Sequence, residues 1–89
     1  MIKIEVTVRN RAGIHTRPAS MIVRTASKFK ADFFISKGGY EINGKSIIGV
    51  MTLAAEQGAR LGLTFEGDDE KEAAETVRKL FESGFEEVM

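Results

Sequence analysis

Three stretches of this 89-residue chain alternate apolar and polar side chains with period two, and a strand of that kind can bury only one face. Ile2, Ile4, Val6 and Val8 share one face, opposite Lys3, Glu5, Thr7 and Arg9; Phe33 and Ile35 alternate with Phe34 and Ser36; Leu61, Leu63 and Phe65 complete the set. Tyr40 to Asn43, reached through the Gly38-Gly39 turn, supplies the returning strand of a β-hairpin over residues 32 to 43. Half-buried strands assemble into an antiparallel sheet that needs a cover on one side and takes water on the other.

Amphipathic helices supply the cover. Ala19, Ile22, Val23, Ala26 and Phe29 fall at the i, i+3, i+4, i+7 and i+10 positions of a helix that starts near Thr16. Thr16 is its expected N-cap, and Pro18 fits the first turn, where the missing N–H has no intrahelical partner to lose. Ser46 is placed to cap a short helix carrying Ile47, Ile48, Met51 and Ala54 or Ala55, ended by Gly58. After a Gly67-Asp68-Asp69 turn, Asp69 and Glu72 have the spacing of a capping box. Ala73, Ala74, Val77, Leu80 and Phe81 form the buried stripe of the final helix, with Gly84 as its C-cap. The order β-α-β-β-α-β-α predicts the α+β class, one sheet with helices on one side, in a single domain over residues 1–89.

Composition narrows the chemistry by exclusion. The absence of cysteine removes disulfides, thiol catalysis and thiolate metal sites, and one histidine leaves no pair for a metal. Thirteen basic against thirteen acidic residues argue against a partner held by bulk charge, such as nucleic acid or an anionic membrane. No run approaches the roughly 18–20 apolar residues of a membrane span, and the alternating N-terminus lacks the apolar run of a signal peptide, so the expected location is the cytoplasm.

A lone histidine in a small domain is ordinarily structural or merely exposed. His15, however, directly precedes a helix, beside unpaired N–H groups and the positive end of the helix dipole. Backbone amides of Thr16 and Arg17 and the Arg17 guanidinium would all favour a phosphoryl group there, and a neutral imidazole is a competent nucleophile. A hydrolytic triad is not supported, because no nucleophile stands on a strained turn and no acidic orienter is apparent beside the ring. Ser46 has two readings: a plain helix cap, or a modification site whose phosphate would alter a surface formed with exposed Ile47, Ile48 or Met51. Arg9, Arg11, Arg17, Arg24, Lys28 and Lys30 crowd the first third, either as solvated faces or as a docking face for an acidic protein; no aromatic platform is interleaved for RNA.

Together, Gly13-Ile14-His15-Thr16-Arg17-Pro18-Ala19 and Gly44-Lys45-Ser46-Ile47-Ile48-Gly49-Val50-Met51 resemble the HPr family of phosphocarriers of the bacterial phosphoenolpyruvate-dependent phosphotransferase system, over essentially the whole chain. The resemblance implies an open-faced β-sandwich, a four-stranded antiparallel sheet covered on one face by three helices. It implies a carrier and not an enzyme: His15 takes a phosphoryl group on Nδ1 from enzyme I and passes it to IIA domains of sugar permeases. Arg17 and the amides of Thr16 and Arg17 would steady that group, and Ser20, Arg24, Ile47, Ile48 and Met51 would dock the partners. A second phosphorylation, at Ser46 by an HPr kinase/phosphorylase, would signal catabolite repression to a transcription regulator. No metal or cofactor is implied, and the carrier is expected to be a monomer. Many sugar-branch members have a small polar residue where this chain has Ala12, so a regulatory, nitrogen-type phosphorelay is the alternative. A rival of another class is an allosteric ligand acting through Ser46, Ile47, Ile48 and Met51 with His15 silent.

Overall fold

The backbone ladder follows the alternation. In the computed structural model, which describes residues 1–89, β1 (Ile2–Thr7), β2 (Asp32–Lys37), β3 (Tyr40–Asn43) and β4 (Arg60–Glu66) form one antiparallel sheet in the order β1-β4-β2-β3. Ile4 lies opposite Leu63, Leu63 opposite Ile35, and Ile35 opposite Ile42, so one apolar row crosses all four strands. In the adjacent row the rings of Phe33 and Phe65 stack with centroids 4.6 Å apart. The helices α1 (Thr16–Ala26), α2 (Ile47–Thr52) and α3 (Glu70–Glu82) cover this face and leave the other to solvent. The chain is the open-faced sandwich that the sequence implied.

Helix α1 buries Pro18, Ala19, Ile22 and Ala26, with Val23 and the following Phe29 partly buried against the same core. Its N-cap is His15 and not Thr16: His15 is extended, with φ −103° and ψ −166°, and Thr16 is already the first helical residue. Helix α2 begins as expected, the Ser46 hydroxyl accepting the Gly49 N–H at 3.1 Å. It ends at Thr52, short of Gly58, because Ala54 turns to φ +48° and Lys37 Nζ donates to the carbonyls of Leu53 and Ala54, each at 3.2 Å. Ala54 and Ala55 therefore lie past the helix, Ala55 buried and Ala54 exposed.

Asp69 occupies the N-cap of α3 but forms no capping box, since its carboxylate is spent elsewhere. It accepts the N–H groups of Lys30 and Ala31, both at 2.8 Å, and so clasps the α1–β2 connection to the start of α3. Glu70, one residue on, accepts the Gly67 N–H at 3.1 Å. Ala73, Ala74, Val77 and Phe81 are buried as the stripe requires, with Leu80 at its margin. Ser83 is the C-cap, and Gly84, at φ +63°, is the first residue beyond it.

The bond from the Lys30 N–H holds the Asp69 carboxyl below its ordinary range, with smaller help from the Ala31 N–H and Lys45. A carboxylate whose pKa is depressed by folding adds stability above its unfolded pKa, about 4, and that contribution is lost as pH falls through the folded value. Thermal midpoints should therefore drop below about pH 4, and less steeply in Asp69→Asn, whose residue 69 no longer titrates. An unchanged acid slope in the variant would remove the clasp as its source.

Candidate functional site

The loop between β1 and α1 is held from two sides. On one, the Ile14 N–H donates to the Ala55 carbonyl at 2.8 Å, and Gly13 packs so closely that a Cβ there would stand 2.6 Å from the same oxygen. With φ +73°, Gly13 is where a side chain would be excluded by both backbone conformation and space. On the other side, the Arg11 N–H donates to the Val88 carbonyl at 2.7 Å, drawing the end of the chain across the loop.

Asn10 joins these supports. It is fully buried, and its Nδ2 donates to the Gly13 carbonyl at 2.8 Å and to Glu87 Oε1 at 2.9 Å. Glu87 arrives through an unusual turn: Gly84, Phe85 and Glu86 have φ of +63°, +57° and +60°. The fully buried Phe85 ring, edge-on to Phe81 with centroids 5.1 Å apart, anchors this left-handed segment.

His15 Nε2–H donates to the Glu87 carboxylate, at 3.0 Å to Oε2 and 3.1 Å to Oε1. Arg17 NH1 donates to Glu87 Oε2 at 2.9 Å and to the Phe85 carbonyl at 3.0 Å. The His15 hydrogen bond, followed by those of Asn10 and Arg17, holds the Glu87 carboxyl below its usual range against the opposing effect of burial. An ionised carboxylate only accepts, so Nε2 carries a proton, and Nδ1 has no partner within the protein. Glu87 corrects the expectation that no acidic group stands beside the ring, and it turns Arg17 toward the chain end.

Because the His15 side chain points to Glu87, it does not cap α1. The Thr16 and Arg17 N–H groups, in the first turn of an 11-residue helix, have no acceptor within the protein. A depression of about 430 Å³ beside the ring is lined by Arg11, Ala12, His15, Glu87 and Val88, so Ala12 contributes an apolar wall where a polar contact was in question.

The remaining predicted residues spread from this point. Thr16, Ile47, Ile48, Met51 and Thr52 line one shallow cleft, bringing the apolar face of α2 to the start of α1. Ile48 is the most exposed of them, at 75%. Ser20 and Arg24 follow Thr16 at helical spacing, Ser20 half-buried and Arg24 exposed. Ser46 immediately precedes Ile47 as the cap of α2 and does not line the cleft. Asn10 and Glu87 were not singled out in the sequence. One is a polar residue in a loop and the other belongs to a terminal acidic run, and no periodicity relates positions 77 apart.

A family model described as "PTS HPr component phosphorylation site" matches residues 2–83. The phosphocarrier protein HPr of Treponema pallidum is 44% identical over 87 residues, covering 98% of this chain and 99% of that protein. The HPr-like protein Crh of Bacillus subtilis is 41% identical over 77 residues, or 86% of this chain and 91% of that one. HPr-C-His from Thermoanaerobacter tengcongensis superposes with a TM-score of 0.96 at 40% identity over all of both chains. An HPr dimer from the same organism gives 0.77 at 41% identity, covering 96% of this chain and 98% of that one.

Truncating Asn10 would take the shorter of two donors from the Gly13 carbonyl and from Glu87 Oε1, each of which keeps only its longer bond to His15. Asn10→Ala should lower the unfolding free energy by about 1–3 kcal/mol, read as a shifted urea midpoint with unchanged slope. A variant as stable as the parent would show that the amide is not what fixes the loop.

Proposed function

The chain belongs to the HPr family of phosphocarrier proteins, and from that premise we propose that it carries a phosphoryl group on His15 Nδ1 from enzyme I to IIA domains of sugar permeases. The observation that supports this most directly is the pairing of an unpartnered Nδ1 with two unpaired helix N–H groups, those of Thr16 and Arg17. The ring nitrogen attacks phosphorus, and the amides and helix dipole balance the charge on the phosphoryl oxygens. Arg17 can exchange its bond to Glu87 for one to the phosphoryl group, a better acceptor because it carries more charge. In this reading the protein supplies positioning and a nucleophile and catalyses no turnover of its own. It acts as a cytoplasmic monomer, because His15 must be offered to two partners in turn; a stable dimer covering His15, read by light scattering, would overturn that part.

The exposed residues Ile47, Ile48 and Met51, with Ser20 and Arg24 on the adjoining helix, form the docking surface in this proposal. Ser46 at its edge supports a regulatory layer, in which an HPr kinase/phosphorylase adds a phosphate that repels the acidic partner or recruits a transcription regulator. The similarity to Crh favours this second layer, and Ala12 favours, as the alternative to sugar transport, a regulatory nitrogen-type phosphorelay.

Intact mass after incubation with phosphoenolpyruvate, Mg²⁺ and enzyme I should show one acid-labile phosphoryl group, absent in His15→Ala; an adduct in the variant would remove His15 as the acceptor. Arg17→Ala should slow transfer by about 10²–10³-fold, as loss of one oxyanion donor does elsewhere, and equal rates would refute its role.

Ser46→Asp should slow loading by enzyme I but leave loading by the small donor phosphoramidate unchanged. Loss of both would mean that the substitution damages the His15 site and not the docking surface.

A further inference from the structure

Glu87 reaches the opposite side of the imidazole from the nitrogen that reacts, and nothing in the transfer itself requires a carboxylate there. It is nonetheless the most heavily bonded side chain in the site, with donors from His15, Asn10 and Arg17, and it is only 17% exposed. The acceptors are Oε1 and Oε2, so the group is the Glu87 side-chain carboxylate. Resting on the reading of His15 as the phosphoryl acceptor, we propose that Glu87 is a positioning residue that keeps the proton on Nε2 while Nδ1 carries the phosphoryl group, so that the loaded carrier stays in the form able to release it.

The electron count shows why this matters. In loading, the Nδ1 lone pair forms the N–P bond, the donor's bond to phosphorus breaks with its electron pair leaving on the donor, and the ring becomes an imidazolium that retains its Nε2–H. In unloading, the N–P pair returns to Nδ1 and the ring departs as neutral imidazole, in the tautomer from which it started. No proton moves in either half. Had Nε2 lost its proton in between, the departing group would be an imidazolide anion, a far poorer leaving group, and the phosphoryl group would be stranded.

The surroundings make Glu87 the group that decides this. Within 4.0 Å of the ring nitrogens it is the only carboxylate. Arg17 on α1 and Arg11 in the loop are cations and oppose a charged ring. Glu56 and Glu86 are exposed and neither pairs with the ring, and the α2 residues beside Thr16 are uncharged.

The test loads full-length wild type, Glu87→Gln and Glu87→Asp with phosphoramidate and follows loss of the phosphohistidine ³¹P signal from about pH 5 to about pH 10, with free Nδ1-phosphohistidine as reference. The wild-type rate should stay on its fast plateau to higher pH than the free amino acid. Glu87→Gln should fall off about one pH unit earlier, and Glu87→Asp, which keeps the charge, should restore most of the difference. Superimposable profiles for wild type and free phosphohistidine, a comparison that needs no variant to fold, would overturn the proposal, as would Glu87→Gln matching wild type. In both cases the His15 reading survives. No acid-labile adduct on wild-type His15 would instead overturn that reading.

Discussion

Both N–H bonds of one buried amide, Asn10, are committed to different parts of the chain, and the geometry of His15 follows from where they go. One closes the loop on itself at Gly13 and sets the exit angle into α1; the other fixes Glu87, which in turn orients the imidazole and the guanidinium of Arg17. A side chain that formed only one of these bonds would leave either the loop or Glu87 with one support fewer. Because Asn10 lies between β1 and α1 while Glu87 follows α3, the arrangement exists only where α3 is packed against β1. Its precision is a tertiary property, carried by the core of Phe33, Phe65, Leu63 and Ile35 that holds β1 and α3 in place.

The same corner concentrates unfavourable features. Phe85 and Glu86 occupy left-handed backbone that costs on the order of 1–2 kcal/mol per residue outside glycine, and Asn10 Oδ1 is buried without a donor. Such features persist only where surrounding contacts over-determine them. Here those contacts are the burial of Phe85 against Phe81 and the charge-assisted bonds converging on Glu87. The left-handed segment is what separates the buried Phe85 from Glu87, so the strain lies between the anchor and the contact with the ring.

Sequence periodicity revealed the layers and the core because burial on one face is a local, repeating demand: three of the four strands and two of the three helices show it directly, while α2 buries only Val50 and turns Ile47, Ile48 and Met51 outward. The His15 motif and the Ser46 cap were also readable, since a helix start is marked by residues adjacent in the chain. What escaped was set by contacts without sequence spacing. Asp69 had the local pattern of a capping box, but the unpaired amides of Lys30 and Ala31 offered its carboxylate two donors, and tertiary pairing won. Helix α2 stops before its glycine because a lysine from β2 supplies the terminal donors. Thr16 looked like the better cap than His15 on side-chain chemistry, yet the position of cap is decided by where the extended loop ends, and Gly13 places that end at His15.

His15 and Ser46 are both N-caps, and the difference between them follows from what each side chain does with the helix donors. Ser46 satisfies its own helix through the Gly49 N–H, so the end of α2 is already occupied by a neutral acceptor. His15 leaves the Thr16 and Arg17 amides unpaired because Glu87 diverts the ring away from them. A stable helix start normally has its donors filled by the cap, at about 1 kcal/mol for a good one. Forgoing that stabilisation at α1 leaves two oriented donors and the positive end of an 11-residue helix open beside the imidazole. Two helix starts of one small fold are thereby differentiated: one closed by its own hydroxyl, and one open because a carboxylate from the far end of the fold holds its cap residue away.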